Sequence, residues 1–406
     1  MFGLSQDRLT KILAVFVTCM ICCTRIYIPA GWFASHLVAL FGILLWITFR
    51  NSVSISNEIK GYIKAYGVLV FCTVPSIIFS ANPSVAVNEF LNMWLWPYIS
   101  FIVIVLFIRR RDYIVEMMTA YLLFSGVDGL YTSVQVIMNV TGDERGYGLG
   151  GWLLTIADII CMLLPIVLVI LMDQRFEKKL RKSAAFALVG LLTGFICNKS
   201  RGAWLTALIV VPIAAFRYIK ENKKFLVFFI AIVMGIFIYM VSNPKYVQRI
   251  QSITNITSDH SNADRIWTWK SAKLMIKDHP IVGVGLGQFY DNYIHKYRYK
   301  QESQGLVHAH NNFIHIAVEN GIIGLAGLLY FVGFYLYTSL QNYHKERKPY
   351  DILIFTTFLS HVCLFGQIDY TMWSWAGMQP IFWFLLALLL VLKETDEHFI
   401  RTKPFG

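Results

Sequence analysis

Apolar residues occur along this chain in blocks of membrane-spanning length, set off by short polar connections. The blocks lie at roughly 11–29, 32–49, 62–80, 86–108, 113–139, 151–172, 183–198, 203–219, 225–241, 312–340, 351–366 and 374–392. About twenty apolar residues carry a helix across a hydrocarbon layer, so the pattern predicts about twelve transmembrane helices. One connection departs from the rhythm. Residues 242–311 form a segment of about seventy residues, far longer than a turn between helices, and segments of that size usually carry function. Inside it, Asn262 to Lys277 mixes apolar and basic positions at roughly helical spacing behind a capping residue, which predicts a helix lying against the bilayer or the bundle. The expected architecture is all-α: a single polytopic membrane domain over 1–406, with 242–311 as one large loop containing short helices.

Composition agrees with this pattern. Hydrophobic residues make up 56% of the chain and charged ones only 15%, with a mean hydropathy of +0.55, more apolar surface than a soluble domain of this length needs. The net charge of +12 does not point to nucleic acid, because the basic residues stand in short clusters between the apolar blocks. Those clusters are Arg50 with Lys60 and Lys64; Arg109 to Arg111; Arg175 with Lys178, Lys179, Arg181 and Lys182; Arg217 with Lys220, Lys223 and Lys224; and Lys345, Arg347 and Lys348. The positive-inside bias makes these alternate connections cytoplasmic, together with both termini, where Lys393, Arg401 and Lys403 lie. The remaining connections, 242–311 among them, then face outward. Met1 to Thr10 reads as the start of a retained first helix, without a small-residue cleavage site. Seven cysteines fall in or beside apolar blocks without paired spacing and read as small buried hydrophobes, not as a disulfide frame or a zinc site.

The candidate chemistry gathers at the end of the large loop. Leu306 to Leu325 begins polar, brings His308, His310 and Asn311 together, and turns apolar at the mouth of a membrane helix. A histidine there can take a proton from a hydroxyl nucleophile. The plainer reading makes the rings amphipathic interface anchors. A metal site is the weakest reading, since Glu319 is the only carboxylate in the stretch; His315 and Glu319, four apart, read more simply as a local hydrogen-bonded pair. Upstream, Pro280-Ile-Val-Gly-Val-Gly-Leu-Gly has alternate glycines whose spacing differs from a dinucleotide fingerprint, and it reads as a turn out of the preceding helix. Outward-facing basic residues run against the orientation bias: Arg25, Arg145, Lys199, Arg201 and, in the large loop, Arg265. The guanidinium fork suits a phosphate group, while an interfacial anchor or an ion pair with Asp143, Glu144 or Asp264 is the plainer reading. Asp369, in the last outward connection, is placed to orient His310, to bind a substrate, or to cap a helix.

Three motifs resemble those of the bacterial O-antigen ligase and polymerase family. His310-Asn311, nine residues, Gly321, two residues and Gly324 is one; Ser200-Arg201-Gly202-Ala203-Trp204 opening a membrane helix is the second; Ala263-Asp264-Arg265-Ile266-Trp267 in the large loop is the third. Arg145 is similar to a further family arginine in a looser context, and Asp369 to an acidic residue that some members carry. The likeness covers about Asn198 to Leu392, while the N-terminal helices match only in hydropathy.

What the resemblance implies is a glycosyltransferase of the bacterial inner membrane with its active site in the periplasm, taking a glycan from an undecaprenyl-diphosphate donor without metal or other cofactor. It implies His310 as catalytic base and Arg201 and Arg265 as the diphosphate clamp, with Arg145, His308, Asn311 and Asp369 as substrate-binding residues. The implied acceptor is lipid A-core in the ligase reading and another lipid-linked repeat unit in the polymerase reading, and the spacing after His310 favours the ligase. Besides donor and acceptor, only membrane lipids are expected as partners, and no nucleic acid. The rival from another class is a transporter or flippase of lipid-linked glycans. Against it stand helices nearly free of charge, Asp128 and Asp158 excepted, and no visible repeat.

Overall fold

The computed structural model of the chain describes residues 6–140, 142, 144–254, 260–372 and 377–402. Among the described residues all regular structure is helical. The helices are α1 (Gln6–Ile26), α2 (Ile28–Phe49), α3 (Asn57–Ile78), α4 (Pro83–Phe90), α5 (Ile99–Phe107), α6 (Arg111–Ile137), α7 (Leu153–Met172) and α8 (Lys178–Asn198). They continue as α9 (Arg201–Glu221), α10 (Lys223–Ser242), α11 (Pro244–Thr254), α12 (His260–Asp278), α13 (Phe289–Asn292), α14 (Asn312–Glu346), α15 (Pro349–Phe358) and α16 (Met378–Thr402).

Eleven segments among the described residues are long and apolar enough to cross a membrane: α1, α2, α3, Pro83–Phe107, α7, α8, α9, α10, α14, Pro349–Gln367 and α16. The difference from the expected twelve is the block at 113–139. It forms α6, 27 residues long, but Asp112, Glu116 and Asp128 dilute its apolar character. α6 packs along α8 through small residues: a Cβ on Gly129 would lie 2.2 Å from the Gly190 carbonyl oxygen, so no larger side chain fits at that crossing. α7 and α16 run through the middle of the bundle, almost wholly buried, whereas α10 buries none of its residues.

The basic connections meet at one end of the bundle. Arg109 pairs with Glu394, Arg111 with Glu177 and Asp396, and Lys393 lies 2.8 Å from Glu58 and 2.7 Å from Asp351. The connections between α6 and α7, α8 and α9, α10 and α14, and α15 and α16 meet at the other end. There the segment between Ser242 and Asn312 is helical in α11, α12 and α13.

α14 is not a continuous rod. Gly321 has φ +60° and ψ −160°, a backbone state open to glycine and closed to most other residues, and it breaks the helix within its apolar stretch. An open backbone in a membrane segment needs partners. The glycine segment after α12 supplies them: Val284 and Gly285 N–H donate to the carbonyls of Val318 and Glu319, while Ile322 and Ile323 N–H donate to those of Pro280 and Ile281. The glycines of Pro280–Gly287 therefore leave the helix as a turn and then lie flat along broken α14, close enough that a Cβ on Gly283 would meet the Glu319 carbonyl at 2.3 Å.

Candidate active site

His310 lies one residue ahead of the cap of α14. Asn311 caps that helix, its side-chain oxygen accepting from the N–H groups of Phe313 and Ile314 at 3.0 Å each, while its amide nitrogen donates to Gln367 Oε1 at 2.7 Å. The chain reaches this cap through a left-handed turn at His310, φ +49°, uncommon for a residue with a side chain and held by its surroundings. Two contacts hold it. Trp269 of α12 donates its indole N–H to the Ala309 carbonyl at 2.8 Å, and the Ala309 N–H donates to His315 Nδ1 at 3.3 Å.

His310 Nδ1 lies 2.8 Å from Asp369 Oδ1, which also accepts the Tyr370 N–H at 2.9 Å. Burial works to raise the Asp369 pKa, but the hydrogen bond and charge of His310, with His308 and Arg265 beyond it, outweigh burial and hold the carboxyl down to about 2. An ionised carboxylate only accepts, so His310 donates to it through Nδ1, which leaves Nε2 as the nitrogen that can take a proton. His308 packs against His310 with ring centroids 4.1 Å apart, and its Nδ1 accepts the His310 N–H at 3.3 Å. Burial first, and then the neighbouring His310, push the His308 pKa well below the usual imidazole value, so His308 stays neutral. Donor atoms of His308, His310 and Asp369 lie within 4.8 Å of one another, near enough to share a cation, although the contacts just described already engage them with one another.

His310 lines a cavity of about 450 Å³ whose wall also carries Arg145, Arg201, Arg249 and Arg265. Four stretches of chain bring these side chains in. Arg201 opens α9, behind Ser200, whose hydroxyl caps the helix on the Ala203 N–H; its guanidinium donates to the Ser252 hydroxyl at 2.8 Å and the Ser252 carbonyl at 3.0 Å. Arg265 stands on α12, one turn before Trp269. Its sequence neighbour Asp264 gives both oxygens to the N–H and hydroxyl of Ser303, each at 2.9 Å. Arg145 donates through Nε to the Asn198 carbonyl at 3.1 Å, and Arg249 of α11 to the Lys199 carbonyl at 3.4 Å.

Not every residue singled out in the sequence reaches this cavity. Arg25 is buried against Asp128 at 2.7 Å and donates to the Tyr147 carbonyl. Lys199 ends α8 in a left-handed conformation, φ +54°, 3.6 Å from Glu144. His315 and Glu319 approach to 3.4 Å, a contact within α14. Asp143 lies outside the described residues. Arg249, Trp269 and Gln367 carry no motif and were not singled out. The only signal for Arg249 was its position as a basic residue on the outward side.

Residues 186–329, from α8 into α14, match the family model for O-antigen ligase. An O-antigen ligase of Salmonella typhimurium is 24% identical over 363 residues, covering 84% of both chains. A protein of Rickettsia conorii named "Putative polysaccharide ligase" is 25% identical over 169 residues, which is 40% of this chain and 40% of that one, and a similarly named protein of Rickettsia typhi is 29% identical over 133 residues, 32% and 31% of the two chains. The chain thus aligns with less than half the length of these rickettsial relatives. The match across the arginine and histidine segments and the likeness to the Salmonella protein along most of the chain together support the O-antigen ligase family as the family of this multi-pass membrane protein.

Proposed function

We propose that this protein is an O-antigen ligase, moving a glycan from undecaprenyl diphosphate to a hydroxyl of a lipid A-core acceptor at the periplasmic face of a bacterial inner membrane. The observation that carries the proposal is one cavity lined jointly by His310 and by Arg145, Arg201 and Arg265. The positive-inside bias assigns the end with the basic connections to the cytoplasm, and hence the cavity to the periplasm. In this mechanism the guanidinium groups hold the donor diphosphate and neutralise the charge that grows as it departs. The acceptor hydroxyl gives its proton to His310 Nε2, and its oxygen attacks the anomeric carbon from the side opposite the diphosphate. The carbon–oxygen bond to the phosphate breaks, and undecaprenyl diphosphate leaves with that electron pair, so the anomeric configuration inverts. Asp369 orients the base; Arg249 lines the wall beside it, while His308 and Asn311 support His310 and Gln367 from behind that wall. The step asks nothing of a metal ion, and turnover should survive a chelator.

The test is purified protein in liposomes with labelled lipid-linked glycan, offered both lipid A-core and a second lipid-linked glycan as acceptors. General-base help is typically worth about a hundred- to ten-thousandfold, and His310→Ala should lose that much turnover while inserting normally. Normal turnover by a well-folded His310→Ala protein, or translocation of the glycan without transfer, overturns the proposal. Transfer to the lipid-linked acceptor alone makes the enzyme a polymerase of the same family.

A further inference from the structure

A second histidine–carboxylate couple lies within the bundle, away from the cavity wall. His361 Nδ1 is 2.6 Å from Asp158 Oδ2, and the side chains are 1% and 0% exposed. Asp158 belongs to the first half of α7. His361 lies in a wide turn, 359–364, that interrupts the helix begun by α15 and passes through a tight turn at 365–367 into Asp369. Groups of this polarity are costly inside a membrane bundle and tend to be kept for function.

What the couple grips is the backbone that carries the candidate catalytic pair. The His361 carbonyl, released by the wide turn, accepts from Thr371 Oγ1 at 2.9 Å, and the Val362 carbonyl accepts from Asn312 Nδ2 at 3.1 Å. Asn312 Nδ2 also lies 2.8 Å from Thr371 Oγ1, and Asn312 Oδ1 takes the Thr371 N–H at 2.9 Å. Gly366 leaves room for this staple, since a Cβ there would sit 2.2 Å from Asn312 Nδ2. Asn312 is two residues after His310 and Thr371 two residues after Asp369. One staple therefore joins the chain carrying the base to the chain carrying its carboxylate, and both hang from the turn that Asp158 holds.

We propose that Asp158 and His361 form a positioning pair, which fixes the turn at 359–364 against α7 so that Asp369 meets His310 at hydrogen-bonding distance. This rests on the reading of His310 as the base.

The test uses the full-length protein in liposomes, with Asp158→Asn, Asp369→Asn, their double variant and His310→Ala. Asp158→Asn should lower kcat on the order of tenfold and leave the donor KM unchanged, as expected of a misaligned base. Because it acts through Asp369, the double variant should lose no more than Asp369→Asn alone. His361→Asn keeps an N–H at the place of Nδ1 and should retain most of the turnover that His361→Leu loses. Wild-type kcat for Asp158→Asn, losses that multiply in the double variant, or a raised donor KM with kcat intact each overturn the positioning pair. If Asp158→Asn fails to insert, the comparison of His361→Asn with His361→Leu decides, and equal turnover in those two overturns it. An inactive His310→Ala beside a wild-type Asp158→Asn removes the pair alone; a fully active His310→Ala removes the base and the pair together.

Discussion

Two couples in this molecule are nearly identical as chemistry. His310 Nδ1 stands 2.8 Å from Asp369 and His361 Nδ1 stands 2.6 Å from Asp158. They differ in what surrounds the rest of the ring. His310 is 16% exposed along its side chain and faces a cavity with four arginines, whereas His361 Nε2 is buried without a hydrogen-bond partner. A proton acceptor needs a substrate to accept from, and only the first couple has a place for one. The lesson is that a buried histidine–aspartate pair is not by itself a candidate catalytic centre; the open cavity and its fixed positive charge make the distinction.

The comparison breaks most readily at Asp369. Replacing this carboxylate by an amide lets the side chain donate to Nδ1 and favours the tautomer with its proton on Nε2, where the acceptor hydroxyl needs a lone pair. Asp369→Asn should therefore cost on the order of a hundredfold in kcat, within the range of general-base help, with little change in donor KM. The same exchange at Asp158 is expected to cost about a tenth as much, because that carboxylate acts at one remove. Equal losses at the two sites would erase the distinction between them.

The arginines sharpen it from the other side. Arg201→Lys and Arg265→Lys keep the charge but give up the planar fork. A hydrogen bond to a charged group is worth about 1.5–3 kcal/mol, so each variant should raise the donor KM about ten- to a hundredfold, with a smaller effect on kcat. Arg25→Lys changes contacts with Asp128 and the Tyr147 carbonyl, away from the cavity wall, and should leave the donor KM alone. A wild-type donor KM in both cavity variants would separate the guanidinium groups from the diphosphate.

The reach of the sequence follows the range of the forces involved. Membrane spans are local, twenty or so residues that must each be apolar, and eleven such segments appear within a few residues of where the hydropathy pattern put them. α6 was harder to read, because its apolar character is diluted and its place in the bundle depends on glycines of α8. His310, Arg201 and Arg265 were legible through motifs that keep them beside helix starts and in the large loop. Asp369 was legible only as one of three possibilities, since its partner lies 59 residues away. The pairing of Asp158 with His361 spans 203 residues and leaves no local mark: one is an isolated charge in an apolar helix, and nothing in the sequence around the other points to it. The break at Gly321 was hidden for a related reason, because only the returning backbone of Pro280–Gly287 makes it tolerable.

The smallest expected effect concerns His308, the third member of the cavity-side cluster, which has no counterpart at the buried couple. Burial holds its folded pKa well below the free value of 6.5, so the folded protein keeps this ring neutral where an unfolded chain would protonate it. Above pH 6.5 the ring is neutral in both states and contributes no pH dependence; as pH falls below that value the unfolded state binds more protons and stability declines, by at most about 1.4 kcal/mol per pH unit. Asp369 has the same sign in a lower window, because its stabilising charge is present above the free value of 3.8 and is lost only as pH falls toward about 2. Between pH 6.5 and 5 the two windows do not overlap, so thermal unfolding in detergent over that range reads His308 without Asp369. His308→Gln should flatten the decline in melting temperature there while leaving the position of any acid limb of turnover unchanged, since neither His308 nor Asp369 changes protonation in the folded enzyme near neutrality. A decline as steep as wild type would show that burial of this ring carries none of the pH dependence.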